Sequence, residues 1–172
     1  MVKKVFLVLV AVIFASCSVY ATALIKIARI TNSIQIKTPD GEISVYKNIE
    51  SIPELVYGSK IHATGGTAEI RIFNTASITL EKNQEILILK HPVSKEIEVS
   101  KVESKVKNST IKAWLAGYAL VTFGSDTRVT FLEKYPSIIF RVRRGEATVK
   151  GREGKYVLKS GEYYEAKQNM LR

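Results

Sequence analysis

The chain has 172 residues, 26 Lys and Arg against 16 Asp and Glu for a net charge of +10, one cysteine and two histidines. One cysteine excludes an intramolecular disulfide framework and any cysteine-based zinc site, and a chain of this length holds a self-sufficient core without crosslinks. The basic balance excludes little by itself, because it keeps a small domain soluble as readily as it attracts a polyanion.

Residues 1–21 read as an export signal. Lys3 and Lys4 supply the positive start. The apolar run from Val5 to Ala15, at about 1.5 Å per residue, is too short to span a bilayer of about 30 Å. Two cleavage positions compete. Val19-Tyr20-Ala21 places small residues ahead of Thr22, whereas Phe14-Ala15-Ser16-Cys17 resembles a lipobox in which Cys17 carries the lipid. Cleavage before Thr22 is preferred, since Phe14 stands where leucine is usual and strand-patterned sequence begins at Leu24. The expected location is periplasmic or extracellular, with a lipoprotein anchored at Cys17 as the alternative and the only route to membrane contact. Loss of the two lysines lowers the net charge from +10 to +8. The polyanions outside the cytoplasm are lipid head groups, cell-wall polymers and acidic proteins, so no nucleic-acid partner is expected.

Residues 22–172 form one domain in which the dominant period is two. Leu24 to Ile30 and Ser33 to Lys37 alternate apolar and polar side chains, and Thr38 to Glu42 contributes a proline and an Asp-Gly turn. Glu50 to Gly58 allows one helical turn, which Pro53 limits. Ala68 to Phe73, Ala76 to Leu80 and Glu85 to Lys90 are further strands. In Glu96 to Val106 the apolar residues are Ile97, Val99, Val102 and Val106, which needs a one-residue slip and predicts a turn or bulge near Ser100. Tyr118 to Phe123, Thr127 to Leu132, Ser137 to Arg144, Glu146 to Lys150, Lys155 to Lys159 and Tyr163 to Lys167 complete the set. Glycines fall between them, where positive φ is cheap. Short strands at this spacing indicate an all-β domain, a sandwich or a short β-solenoid. Gly58 to Phe73 also aligns with Gly117 to Leu132 at a constant offset, Ile61 with Leu120, Gly65 with Gly124 and Ile70 with Val129, which predicts two loosely similar halves.

The run from Ala23 to Ile88 resembles the FecR-like domain of bacterial envelope proteins. The match is carried by Leu55, Gly58-Ser59-Lys60-Ile61-His62-Ala63-Thr64, the Gly65-Gly66-Thr67 turn, Ala68 to Phe73, Ala76 to Leu80 and Asn83 to Ile88. Phe140 to Ala166 is similar to the family's closing segment through Gly145, Gly161 and Glu162. Asn32-Ser33 stands where the family's first hairpin usually has glycine, and Gly124 to Thr127 occupies the place of its Val-Arg-Gly-Thr step. The regulators that typify the family span the membrane and signal to a sigma factor. With no stop-transfer helix and no cytoplasmic domain, the resemblance here implies the stand-alone, exported type, a binding or scaffold module.

Candidate chemistry is sparse. His62 and His91 have no nameable partner, and two histidines without cysteines lack a metal-ligand set. Asp40 and Asp126 sit in turns, and no carboxylate pair is singled out. Gly65-Gly66 precede a strand rather than the helix N-terminus of a phosphate loop, so Gly58 to Phe73 reads as a β-corner. No catalytic, cofactor or metal residue is therefore expected. The best interaction candidate is Arg141 to Arg152. Arg141 and Arg143 share an outer strand face, and Arg144, Lys150 and Arg152 join them if the next strand pairs back across Gly145. A solvated edge kept charged against aggregation is the competing and preferred explanation of the same five cations. Trp114 is expected in the core, and adjacent Tyr163 and Tyr164 face opposite ways. The expected function is an exported, non-catalytic module of the cell envelope that binds a protein partner or an anionic envelope polymer. The alternatives are an envelope glycan hydrolase with dispersed carboxylates and a self-assembling structural subunit.

Overall fold

Side chains that alternate give each strand one face for a core and one for solvent. In the computed structural model, which describes residues 25–90, 96–101 and 109–168, that pattern builds two antiparallel sheets. Strands are numbered β1 to β15 along the chain. The seven-stranded sheet has the order β1 (Ile25–Ile30), β5 (Ala68–Ile72), β6 (Ala76–Leu80), β9 (Ile111–Leu115), β10 (Ala119–Phe123), β13 (Glu146–Gly151), β14 (Gly154–Lys159). The eight-stranded sheet has the order β15 (Tyr163–Lys167), β12 (Ser137–Arg144), β11 (Arg128–Lys134), β8 (Ile97–Lys101), β7 (Glu85–Lys90), β4 (Lys60–His62), β2 (Ile34–Lys37), β3 (Ile43–Tyr46). The expected helical turn is a 3-10 turn at Ile49–Ser51, capped by the Asn48 side chain. The inner faces share one core, in which fully buried Phe123 of the first sheet lies against Phe140 of the second. The architecture is an all-β sandwich.

The predicted likeness of the halves has a topological counterpart. In the first half β1 pairs with β5 and β5 with β6, while β2 pairs with β4 and β4 with β7. In the second half β8 pairs with β11 and β11 with β12, while β9 pairs with β10 and β10 with β13. The scheme is the same with the sheets exchanged: the triplet β1, β5, β6 lies in the seven-stranded sheet and β8, β11, β12 in the eight-stranded one. The pairs β6–β9 and β7–β8 join the halves, and β3, β14 and β15 are additions to the shared scheme.

One local expectation is corrected and a second is tested in part. The first hairpin does not form, because β1 and β2 belong to different sheets and Thr31 to Ser33 carries the chain between them. Asn32 makes the bend with φ of 78°, a conformation asparagine tolerates better than most residues. Of the turn or bulge expected near Ser100, no bulge occurs at Ser100 itself, and the residues that a turn after Lys101 would involve lie outside the described residues. β8 stays in register with β11 as far as Ser100 and with β7 as far as Lys101, which takes the next inward position. Its apolar stem lines the core margin while the ammonium donates to the Ser109 carbonyl and to the Ser109 hydroxyl at 3.0 Å. Val102, Val106, His91, Cys17 and the leader with its cleavage positions lie outside the described residues.

Gly58 to Phe73 is a corner between sheets. β4 ends, residues 63–67 cross, and β5 begins in the other sheet, directly beside the crossing from β1 to β2. The two crossings are stitched together: Thr31 N–H donates to the Thr67 carbonyl at 2.9 Å, Thr67 N–H to the Thr31 hydroxyl at 2.8 Å, and Asn32 Nδ2 to the Gly65 carbonyl at 3.2 Å. A Cβ at Gly66 would overlap the Thr31 carbonyl, so close backbone approach is what requires glycine there.

Candidate functional site

The five cations singled out in the sequence do not form one patch. Gly145, with φ of 81°, turns the chain from β12 in the eight-stranded sheet to β13 in the seven-stranded sheet, and its corner packs on Thr127. Arg141 and Arg143 therefore lie on one outer face of the sandwich and Lys150 on the opposite one. Arg144 ends β12, exposed, opposite Arg128. Arg152 sits in the turn from β13 to β14, with its guanidinium 4.3 Å from the ring centroid of Tyr118.

Arg141 and Arg143 are engaged within the protein. Both donate to Glu96, which is only 6 % exposed: Arg141 Nη1 to Oε1 at 3.4 Å and Arg143 Nη2 to Oε2. Burial works against the charge of this carboxylate. The Arg143 guanidinium, the Thr130 hydroxyl and the positive field of both arginines outweigh it and hold the Glu96 carboxyl below its usual range. Arg141 also lies over the Tyr163 ring at 5.8 Å.

The outer face of the seven-stranded sheet carries a different array. Strand registers place Lys26, Arg71, Ser77, Trp114, Leu120, Lys150 and Lys155 opposite one another in a single row across all seven strands. With strands about 4.8 Å apart, the row is about 29 Å long. All seven face outward: six have Ile25, Ile72, Ala76, Leu115, Ala119 and Val149 beside them turned into the core, and Lys155 has the parity opposite to buried Leu158. The adjacent row is Glu69, Thr79, Lys112, Thr122, Thr148 and Val157, where β-branched residues keep the face flat. Lys112 pairs with Glu81 at 2.7 Å, an exposed contact of little energetic weight.

Trp114 is the correction that matters most. It is 42 % exposed at the middle of this face, not in the core. Ile111, Ala113 and Leu115 fill the inward positions of β9, so Trp114 shares the outward parity of Lys112. That parity was present in the sequence as Ile-Lys-Ala-Trp-Leu and outweighs the residue's apolar area.

Beside Trp114 the face dips into a depression lined by Glu69, Arg71, Asn74, Thr75 and Ser77. Two neighbouring hairpin turns form its rim, because β6 and β9 are paired. In the β5–β6 turn Phe73 has φ of 53°, and in the β9–β10 turn Ala116 and Gly117 have φ of 50° and 75°. Ala116 N–H donates to the Thr75 carbonyl at 2.7 Å and ties the turns together. The Thr75 hydroxyl is buried and has no hydrogen-bond partner among the described residues.

No family model, curated protein or solved structure matches the chain. Among the described residues no three His, Cys, Asp or Glu side chains are grouped to hold a metal ion. His62 points away from the core beside Gln35 and Glu85. Nothing in the sequence marked Asn74 and Thr75 as site residues. Their role depends on β6 pairing with β9, a contact between residues almost forty positions apart.

Proposed function

We propose that the protein is an exported, non-catalytic binding module of the FecR-like type that recognises an anionic envelope polymer laid across the outer face of the seven-stranded sheet. The row Lys26, Arg71, Ser77, Trp114, Leu120, Lys150, Lys155 carries this reading. Cations stand toward both ends and an exposed aromatic stands at the centre, an arrangement that suits an extended chain better than a compact ligand. Attraction of this kind is long-ranged at low salt and screened as salt rises.

Retention on an immobilised polyanion, measured against salt, tests it. Arg71→Glu/Lys150→Glu is expected to weaken binding on the order of tenfold at 0.1 M salt, as reversal of two surface charges implies. Lys134→Glu/Arg144→Glu, the same change in net charge at exposed residues of the eight-stranded sheet, is expected to weaken retention far less. Equal retention by both double variants and the parent would sink the proposal.

Edge-to-edge self-assembly is the second reading, favoured by Ile43 and Val45, which are 54 % and 61 % exposed on the edge strand β3. It predicts a mass by light scattering that rises with concentration in the parent and not in Val45→Lys.

A further inference from the structure

We infer that the depression beside Trp114 is a sugar subsite, and that the anionic polymer is an acidic polysaccharide whose ring stacks on the indole while its carboxylate meets Arg71. This rests on the polymer-binding reading above and names its ligand class. A site for a bare polyanion needs donors and cations only. Here the polar groups around the indole are mixed: Arg71 only donates, Glu69 only accepts, and Asn74, Thr75 and Ser77 do both. Such a set matches the alternating hydroxyls of a sugar ring. The indole offers the flat apolar surface that the C–H face of a ring covers.

Thr75 supplies an independent observation. Thr75 is one of the residues lining the depression, it is 6 % exposed, and its buried hydroxyl lacks a partner among the described residues. Buried hydroxyls are nearly always satisfied; this one is closed off from solvent as it stands, and a turn of the Thr75 side chain about χ1 to another staggered position is what would present it to a ligand hydroxyl in the depression. The neighbouring cations Lys26, Lys112, Lys150 and Lys155 then serve the residues of the polymer on either side.

Trp114 is the single tryptophan of the chain, so its emission reports this site alone. The full exported chain is titrated with polygalacturonate, polyglutamate and polyphosphate, following retention and tryptophan emission together. All three polyanions are expected to be retained, but only polygalacturonate shifts and saturates the emission. Thr75→Val is expected to weaken polygalacturonate binding about fivefold, the loss of one hydrogen bond, and to leave polyphosphate binding unchanged. Its thermal midpoint is expected to hold or rise, because valine fits the same space without a buried hydroxyl. Retention of polygalacturonate with unaltered emission overturns the sugar subsite and leaves the polymer reading standing. An equal emission response to polyglutamate overturns it too, in favour of an acidic polypeptide. Parent-level polygalacturonate affinity in Thr75→Val removes the role given to that hydroxyl and overturns the subsite. Failure to retain any of the three polymers overturns both inferences.

Discussion

Phe140→Ala is expected to lower the stability of the protein by about 4 kcal/mol, measured as a fall in the urea midpoint with an unchanged slope. Phe140 is fully buried on the inner face of β12. It meets Phe131 of the neighbouring strand edge to face at 5.4 Å and Phe123 of the opposite sheet at 6.5 Å. Truncation removes the apolar contact between the sheets and leaves a cavity walled by two aromatic rings that strand pairing holds in place. Transfer and cavity terms then act together, and the ring-to-ring preference is lost besides. Trp114→Ala provides the contrast. A larger side chain is removed there, yet from a half-exposed position on an outer face, and its effect on the midpoint is expected to stay within about 1 kcal/mol. A cost for Phe140→Ala as small as that for Trp114→Ala would refute the shared core.

The strands themselves were legible because alternation is a local property. Ile34 to Lys37 and Ala76 to Leu80 alternate in the sequence and do so in burial. Sheet membership was not legible, because a corner and a hairpin both read as strand, short polar break, strand. Gly145 is the exception. A single residue separates β12 from β13, and a hairpin needs at least two loop residues, so steric sense alone places these strands in different sheets. The repeat at constant offset was visible, but its exchange of sheets was not, since nothing in one strand says which layer holds its partner. Glu96 was hidden for a similar reason. It lies 45 residues from Arg141 in the chain and becomes its neighbour through two strand pairings. Trp114 illustrates a conflict between two local rules, large apolar area against parity on the strand. Parity prevails because the pleat fixes direction, whereas area only sets a preference.

Glu96→Gln is expected to destabilise the protein by about 2 kcal/mol at neutral pH. Removing one partner of a buried ion pair costs roughly 3–5 kcal/mol and of a surface pair under about 1 kcal/mol. Glu96 is buried, but the side chains of Arg141 and Arg143 are 31 % and 30 % exposed, so water tempers the charge left behind. The sign of the pH dependence follows from the direction of the shift. The folded carboxyl titrates below its ordinary value of 4.5, so above that pH both folded and unfolded states are ionised and the stabilisation is complete. As pH falls from 4.5 through the folded value, the unfolded state takes up its proton first and the stabilisation is lost. Urea midpoints measured from pH 7 to pH 3 should therefore show the parent and Glu96→Gln converging below pH 4.5. A gap that stays constant to pH 3 would show that an ionised Glu96 is not what holds the arginines. The same substitution also bears on binding, because it frees two guanidiniums on the face opposite Trp114. Polyanion retention by Glu96→Gln at neutral pH should consequently rise, while the Trp114 emission response to polygalacturonate stays as in the parent. Glu96 offsets one of the two positive charges of Arg141 and Arg143 and holds both guanidiniums in contacts within the protein, which is why the proposed polymer site is the seven-stranded face.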